Sequence, residues 1–296
     1  MALQHSDHCD EMNPKGFSFT EICSHTFNIT DPKQYMSKVG IGILACRNEF
    51  IRFLASQIDI HDMSNNNYEL IKTFKYPFDQ FVCTYSFGVT YCEKDHSCLL
   101  TNLGVNEYRK RLIKMSLSDG SVKWSTLLNN ESDVTPHFLT PVIDSRGIIF
   151  LGDTNSQQIY VICCDSGQVL EKIGDGCRKQ FASSVKQFTY LSLDRNDCLL
   201  AYCVGTNDVP ILKIFSRNLQ LVKTIQLDVY LIGPTIWDPI SSGYLLRGFD
   251  KIYFASRDFN ILAQQALENI QYSYFAISNG VLFVFEAHNN KLTCYK

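Results

Sequence analysis

Two adjacent thiols, Cys163-Cys164, and a polar leader carrying His5, His8 and Cys9 are the residues whose types first suggest chemistry. Imidazole and thiolate are the donors zinc prefers, and Cys23 and His25 follow nearby. Yet H-x-x-H-C followed by C-x-H has no standard finger spacing, and an unstructured leader would have to fold around the ion. The thiol pair lies in an alternating run that leads into a turn, where neighbouring side chains point to opposite faces. Nucleophilic catalysis finds no support either, because there is no G-x-S-x-G elbow and the seven histidines are scattered. No Walker A or G-x-G-x-x-G loop occurs, and Gly40-Ile41-Gly42 lacks the third glycine. Asp144, Asp153, Asp165 and Asp175 make no D-x-D-x-D-G calcium ladder. Aspartates of this kind cap tight turns through their own backbone. The expectation is therefore no catalytic residue, no cofactor and no metal.

The elements that position these residues are short strands. Phe (20) and Tyr (15) are abundant while Trp (2) is scarce, and aromatic enrichment favours strands over helices. Only Gly40–Gln57 has a helical alternative, and Ile41, Ile43 and Ala45 alternate well enough to prefer strands there too. The segment Ile159–Ile173, IYVICCDSGQVLEKI, reads as strand, turn at Asp165-Ser166-Gly167, and strand. The same shape recurs at Leu112–Trp124, with its turn at Asp119-Gly120, and at Ile211–Ile225, with Asn218 where the glycines stand. Looser copies centre on Asn65-Asn66-Asn67 and on Asp258. Turn centres roughly 40 to 55 residues apart match the period of four-stranded propeller blades.

The chain divides accordingly into a leader, 1–15, and one all-β domain, 16–296. Blade-sized units run from Gly16 to Lys75, Gln80 to Leu128, Phe138 to Ile173, Phe181 to Leu227 and Ile232 to Leu267. The last unit holds only three strands, Phe275–Ile277, Val281–Phe285 and Leu292–Tyr295. A closed ring removes its open edge by completing one blade from both termini. Phe17–Ile29 is the spare strand-like segment for that purpose. Six antiparallel four-stranded blades are expected, with five and seven as the alternatives.

The bulk numbers exclude several function classes. Twenty-seven basic against thirty acidic side chains leave a net charge of -3, so no electrostatic footprint for nucleic acid or anionic membrane is visible. No run approaches the roughly eighteen apolar residues of a membrane span. The first residues carry neither the basic nor the apolar region of a secretory signal. Twelve cysteines without a CxxC pair then read as small buried hydrophobes of an intracellular protein, cytoplasmic with the nucleus as the alternative, and the sequons at Asn28 and Asn130 carry no weight.

The unit TPVIDSRGIIFLGDTNSQQIYVICCDSGQVLEKI resembles the repeat of quinoprotein-like, PQQ-type β-propellers. Pro141-Val142, Ile149–Gly152 and Asp165–Gly167 fit that repeat, and Asp119–Trp124 keeps its closing tryptophan. In that family the tryptophans dock one blade against the next. Elsewhere in this chain the position holds Glu171, Lys172 or Lys223. The resemblance implies a propeller and leaves the activity open, since members include quinone-dependent alcohol dehydrogenases, assembly scaffolds and the C-terminal propeller of β-alanine-activating enzymes. The dehydrogenases set a vicinal disulfide and a tryptophan floor beside their cofactor; this chain lacks the tryptophans. The first expectation is thus a non-catalytic scaffold that binds another protein. The alternatives are an accessory ring of an adenylation enzyme and a quinone-dependent oxidoreductase. Candidate partner-binding residues are Trp237 in GPTIWDPISSG, and Arg178 and Lys179 in the loop after Gly174. Blade packing and an ordinary exposed connection are their plainer accounts.

Overall fold

Alternating apolar and polar residues, interrupted every few positions by a turn, give twenty-four strands and no α-helix among the described residues. The computed structural model describes residues 21–27, 40–54, 57–64, 67–76, 88–103, 110–128, 137–173, 185–205, 207–238, 242–267, 273–278, 281–286, 289 and 291–296. The leader with His5, His8 and Cys9, both sequons, and Arg178 and Lys179 lie outside them.

Blade 1 is β2 (Gly40–Cys46), β3 (Glu49–Leu54), β4 (Gln57–Asp62) and β5 (Glu69–Lys75). Blade 2 is β6 (Val89–Cys92), β7 (Ser97–Leu103), β8 (Lys110–Ser116) and β9 (Val122–Leu128). Blade 3 is β10 (Val142–Ile143), β11 (Ile148–Asp153), β12 (Gln158–Cys163) and β13 (Val169–Ile173). Blade 4 is β14 (Val185–Leu193), β15 (Leu199–Gly205), β16 (Pro210–Phe215) and β17 (Leu221–Gln226). Blade 5 is β18 (Ile236–Asp238), β19 (Gly243–Arg247), β20 (Lys251–Ala255) and β21 (Ile261–Ala266). Blade 6 joins β22 (Ser273–Ser278), β23 (Val281–Glu286) and β24 (Lys291–Tyr295) to β1 (Glu21–Thr26), which pairs antiparallel with β24 as the outermost strand. This is a six-bladed β-propeller closed by strands from both ends of the chain. Gly40–Cys46 and Glu49–Leu54 are strands joined by a turn at Arg47-Asn48, as the alternation predicts. The inner strand of blade 3 is shorter than Leu139–Asp144, being reduced to Val142-Ile143 plus a bridge from Phe138 to Asp153.

First strands meet across blades: β22 touches β2, β2 touches β6, β6 touches β10 and β10 touches β14. Fourth strands form the rim, and β5 and β17 are exposed along nearly their whole length. Lys72, Lys123, Lys172 and Lys223 stand on those rim strands, where a lysine discourages pairing with another chain's edge. The core lies between blades rather than at one centre. Ile51, Phe53, Ile58 and Ile60 pack on Cys98, Leu100 and Ile113 between blades 1 and 2, and similar apolar layers fill the other junctions.

The turn between third and fourth strands needs one residue with positive φ. In blades 2 and 3 it is glycine, Gly120 (φ 74°) and Gly167 (φ 72°). A Cβ on Gly167 would lie 2.7 Å from Trp124, and one on Gly120 would lie 2.5 Å from Phe74. Large side chains of the preceding rim strand thus occupy the volume that a side chain would need. In blades 4 and 5 the position is held by Leu219 (φ 59°) and Phe259 (φ 66°). The preceding rims there end in aliphatic Ile173 and Ile225, so the turn residue fills the junction itself. Asn218 therefore does not stand in for the glycines; it is exposed, one residue earlier, and Leu219 takes the left-handed conformation. Packing of Leu219 against the junction outweighs the left-handed penalty, about 1–2 kcal/mol for an L-residue.

A test follows from the glycine. Gly167→Ala should destabilise by about 2–4 kcal/mol, combining left-handed strain with overpacking against Trp124. In urea unfolding, a cycle with Trp124→Ala should show coupling of about 0.5–3 kcal/mol. Strict additivity would mean that Trp124 does not press on this turn.

Candidate functional site

Topology sorts the loops onto two faces. Turns from first to second and from third to fourth strands share one face, the turn face. Second-to-third turns and inter-blade connections share the other, the connection face.

The turn face is occupied with its own contacts. Lys72 donates to Ser118 O across blades 1 and 2, and Lys94 pairs with Asp165 across blades 2 and 3. Ser145 bonds Asp197, and Arg146 donates to Arg217 O, across blades 3 and 4. Trp124 lies half-buried on the outer strand of blade 2 and donates from Nε1 to Cys164 O at 2.9 Å. Asp119 caps its own turn, and hydrogen bonds from Ser116 and Ser121 lower its carboxyl pKa to about 2.

Beneath this face a buried polar cluster interrupts the apolar junction of blades 2 and 3. At the register where blades 1, 3, 4 and 5 point Ile60, Val161, Ile214 and Phe254 toward the next blade, blade 2 points Lys114. Lys114 is 1 % exposed. Its ammonium meets Asp95 at 3.0 Å, Cys164 O at 3.1 Å and Cys164 Sγ at 3.3 Å. Asp95 also holds Lys123 at 2.8 Å and accepts from Ser97 at 2.6 Å. Burial opposes the Lys114 charge, but Asp95 and Cys164 outweigh it and raise its pKa. Cys92 Sγ lies 3.6 Å from Cys164 Sγ. The second thiol of the adjacent pair thus faces blade 2, while half-buried Cys163 is held by the turn and lowered by hydrogen bonds from Ser166. The cluster joins blades 2 and 3 through a buried ammonium. We assign it to architecture.

The connection face differs at blades 4 and 5. Of the large apolar side chains that are exposed among the described residues, nine are aliphatic and lie on rim strands; the other two are aromatic, Tyr230 (55 %) and Phe249 (63 %). Ile232 donates its N–H to Arg247 O at 2.8 Å, and this bond sets Tyr230 and Phe249 two residues to either side of the pairing. The Tyr230 hydroxyl donates to Asp208 O, and Leu231 N donates to the Tyr202 hydroxyl at 3.0 Å, so the connection is tied at both residues. Asp208, Asp228 and Asp250 are exposed beside the two rings.

Trp237 lies elsewhere. It is half-buried on inner strand β18, edge-on to Tyr244 with ring centroids 5.0 Å apart, and Arg195 lies over its ring at 6.0 Å. His25 likewise packs against Phe27 and Tyr68 at the closing junction, where burial and Arg52 lower its pKa. Three metal-compatible donors that sequence reasoning passed over do converge: Cys46, Glu49 and His96 offer ligand atoms within 4.8 Å of one another.

No family model and no curated protein matches the chain. Solved structures do. A virginiamycin B lyase from Staphylococcus aureus, in a catalytically inactive form with quinupristin, superposes with TM-score 0.59 at 11 % identity, covering 91 % of this chain and 82 % of that one. A chain of a nidogen/laminin complex gives 0.57 at 14 %, covering 80 % and 85 %. The Pan2 WD40 domain of Neurospora crassa gives 0.55 at 8 %, covering 86 % and 74 %. At such identities the likeness is one of fold.

Proposed function

We propose that this propeller is a non-catalytic scaffold that binds a protein segment on its connection face at blades 4 and 5. The observation that carries this is the pair Tyr230 and Phe249, two large aromatics held in water by a hydrogen-bonded connection. Tyrosine and other aromatics supply much of the energy of protein interfaces, and a pre-ordered loop loses little entropy on binding. Three exposed aspartates around the rings favour a partner segment that presents lysine or arginine beside an apolar anchor. One of the fold neighbours comes from such a context by its description, a nidogen/laminin complex. The Trp124 contact with the Gly167 turn supports descent from quinoprotein-like repeats, whose tryptophans dock successive blades. Eight cysteines among the described residues stand outside disulfides, which suits a cytoplasmic location. No helix among them is long and apolar enough to cross a membrane.

The test is a comparison of captured proteins. In the double variant Tyr230→Ala, Phe249→Ala, loss of the exposed Phe249 ring should change stability by no more than about 0.5 kcal/mol, and loss of the Tyr230 hydroxyl bond to Asp208 O should cost about 0.5–1.5 kcal/mol. The same variant should lose a partner that the wild-type ring retains. An identical set of captured proteins for both rings would overturn the proposal.

A further inference from the structure

Cys46 ends β2 and Glu49 opens β3 across the Arg47-Asn48 turn, and the two are directly paired in register. Paired residues of an antiparallel hairpin point to the same side. That side is the junction with blade 2, where Cys46 joins the apolar layer. The matching turn of blade 2 supplies His96, in the left-handed conformation (φ 47°) just before β7. One donor thus comes from each strand of the first hairpin and a third from the next blade.

Their ligand atoms lie within 4.8 Å of one another. His96 Nε2 lies 3.2 Å from Glu49 Oε2. The carboxylate oxygen is buried and has no hydrogen-bond partner among the described residues. A zinc ion with bonds of about 2.0–2.1 Å sets two tetrahedral donors about 3.3 Å apart. The other ring nitrogen, Nδ1, is engaged by the Tyr91 hydroxyl at 3.2 Å. Such a partner fixes the orientation of a metal-binding imidazole and leaves Nε2 to the metal. The charges also balance, since one thiolate and one carboxylate neutralise a divalent ion beside a neutral imidazole.

We propose that Cys46, Glu49 and His96 bind a divalent transition-metal ion, zinc by the donor set, across the junction of blades 1 and 2. Thiolate and imidazole select zinc over magnesium or calcium, which take oxygen ligands. Three protein ligands leave the fourth position to water or to a donor from outside. Glu49 keeps 28 % of its side chain exposed, so that position opens toward the turn face. The site is independent of the aromatic patch on the opposite face.

Cobalt titration of the full chain under reducing conditions tests the site directly. Stoichiometric binding is expected, with tetrahedral visible bands and a sulfur-to-cobalt charge-transfer band, and zinc should displace the cobalt. Glu49→Gln and His96→Asn should each weaken binding at least tenfold; asparagine suits His96 because it tolerates the left-handed conformation. Tyr91→Phe should weaken it about tenfold through the lost orienting bond. Cys46→Ser should remove the charge-transfer band. Retention of that band in Cys46→Ser, or of full affinity in both Glu49→Gln and His96→Asn, would assign the ion to other thiols and overturn the proposal. Absence of stoichiometric binding by the wild-type chain would overturn it as well.

Discussion

Asp95→Ala is expected to cost the fold about 3–5 kcal/mol, because it leaves the Lys114 ammonium between blades 2 and 3 with Cys164 as its one remaining polar partner among the described residues. Lys114→Met should behave very differently. Methionine restores the apolar character that this register has in blades 1, 3, 4 and 5, and Asp95 retains Lys123 and Ser97. Replacing the ammonium is then close to neutral, within about 1.5 kcal/mol for a side chain of similar volume. Urea unfolding of both variants gives the comparison, and equal losses would show that the charge is not buried as described. Acid sharpens the test. Burial opposes ionisation of Asp95, but hydrogen bonds from Lys123, Ser97 and Lys114 outweigh it and hold the carboxyl well below the usual carboxylate range. A depressed folded-state pKa gives stability that is complete above the unfolded value, about 3.9, and fades as pH falls toward the folded one. Wild type should therefore lose stability below about pH 4 more steeply than Asp95→Ala.

The second large effect belongs to the closing junction. Phe50 is fully buried between blades 1 and 6, stacked on Phe27 and Phe283 with ring centroids 5.8 and 6.3 Å away and edge-on to Phe285 and Tyr68. Phe50→Ala should cost about 3–5 kcal/mol through lost transfer energy and the cavity left behind. Against a typical stability of about 5–15 kcal/mol this removes a large share, and a fall in melting temperature reads it out. Phe249→Ala is the internal control, the same substitution at an exposed ring. A melting temperature as high for Phe50→Ala as for Phe249→Ala would mean that the junction is not sealed by these rings.

Blade boundaries were legible because they rest on local signals. The alternation and turn residues of Phe138–Ile173 give β10–β13, and the three-strand shortfall at the C-terminal end correctly pointed to Phe17–Ile29, where β1 lies. Lys114 was not legible, and the reason is physical. In a third strand both faces are covered, as the nearly continuous burial of β12 shows, so alternation separates one junction from the next and not core from water. A lysine in LIKMS then looks like an ordinary outward residue. Tyr230 and Phe249 escaped for the opposite reason, since an aromatic in a strand-rich chain reads as core until the loop that holds it is placed. Leu219 defeated the turn rule because a tertiary contact outweighed a backbone preference. Cys46, Glu49 and His96 gave no spacing to recognise, because the donors come from two different blades.

The outermost strand of blade 6 also has a history in time. Cys23 pairs with Cys294, roughly 270 residues later. At a synthesis rate of about 5–20 residues per second, β1 leaves the ribosome on the order of 15–50 s before β24 exists to receive it. Blades 1 to 5 are each complete in a continuous stretch and can form in order during that interval. Meanwhile the Phe50 face of blade 1 and the strand that will cover blade 6 both wait in water. The newborn chain thus passes through an open arc with sticky ends, and it is in that interval that a folding helper or a second nascent copy has its opportunity.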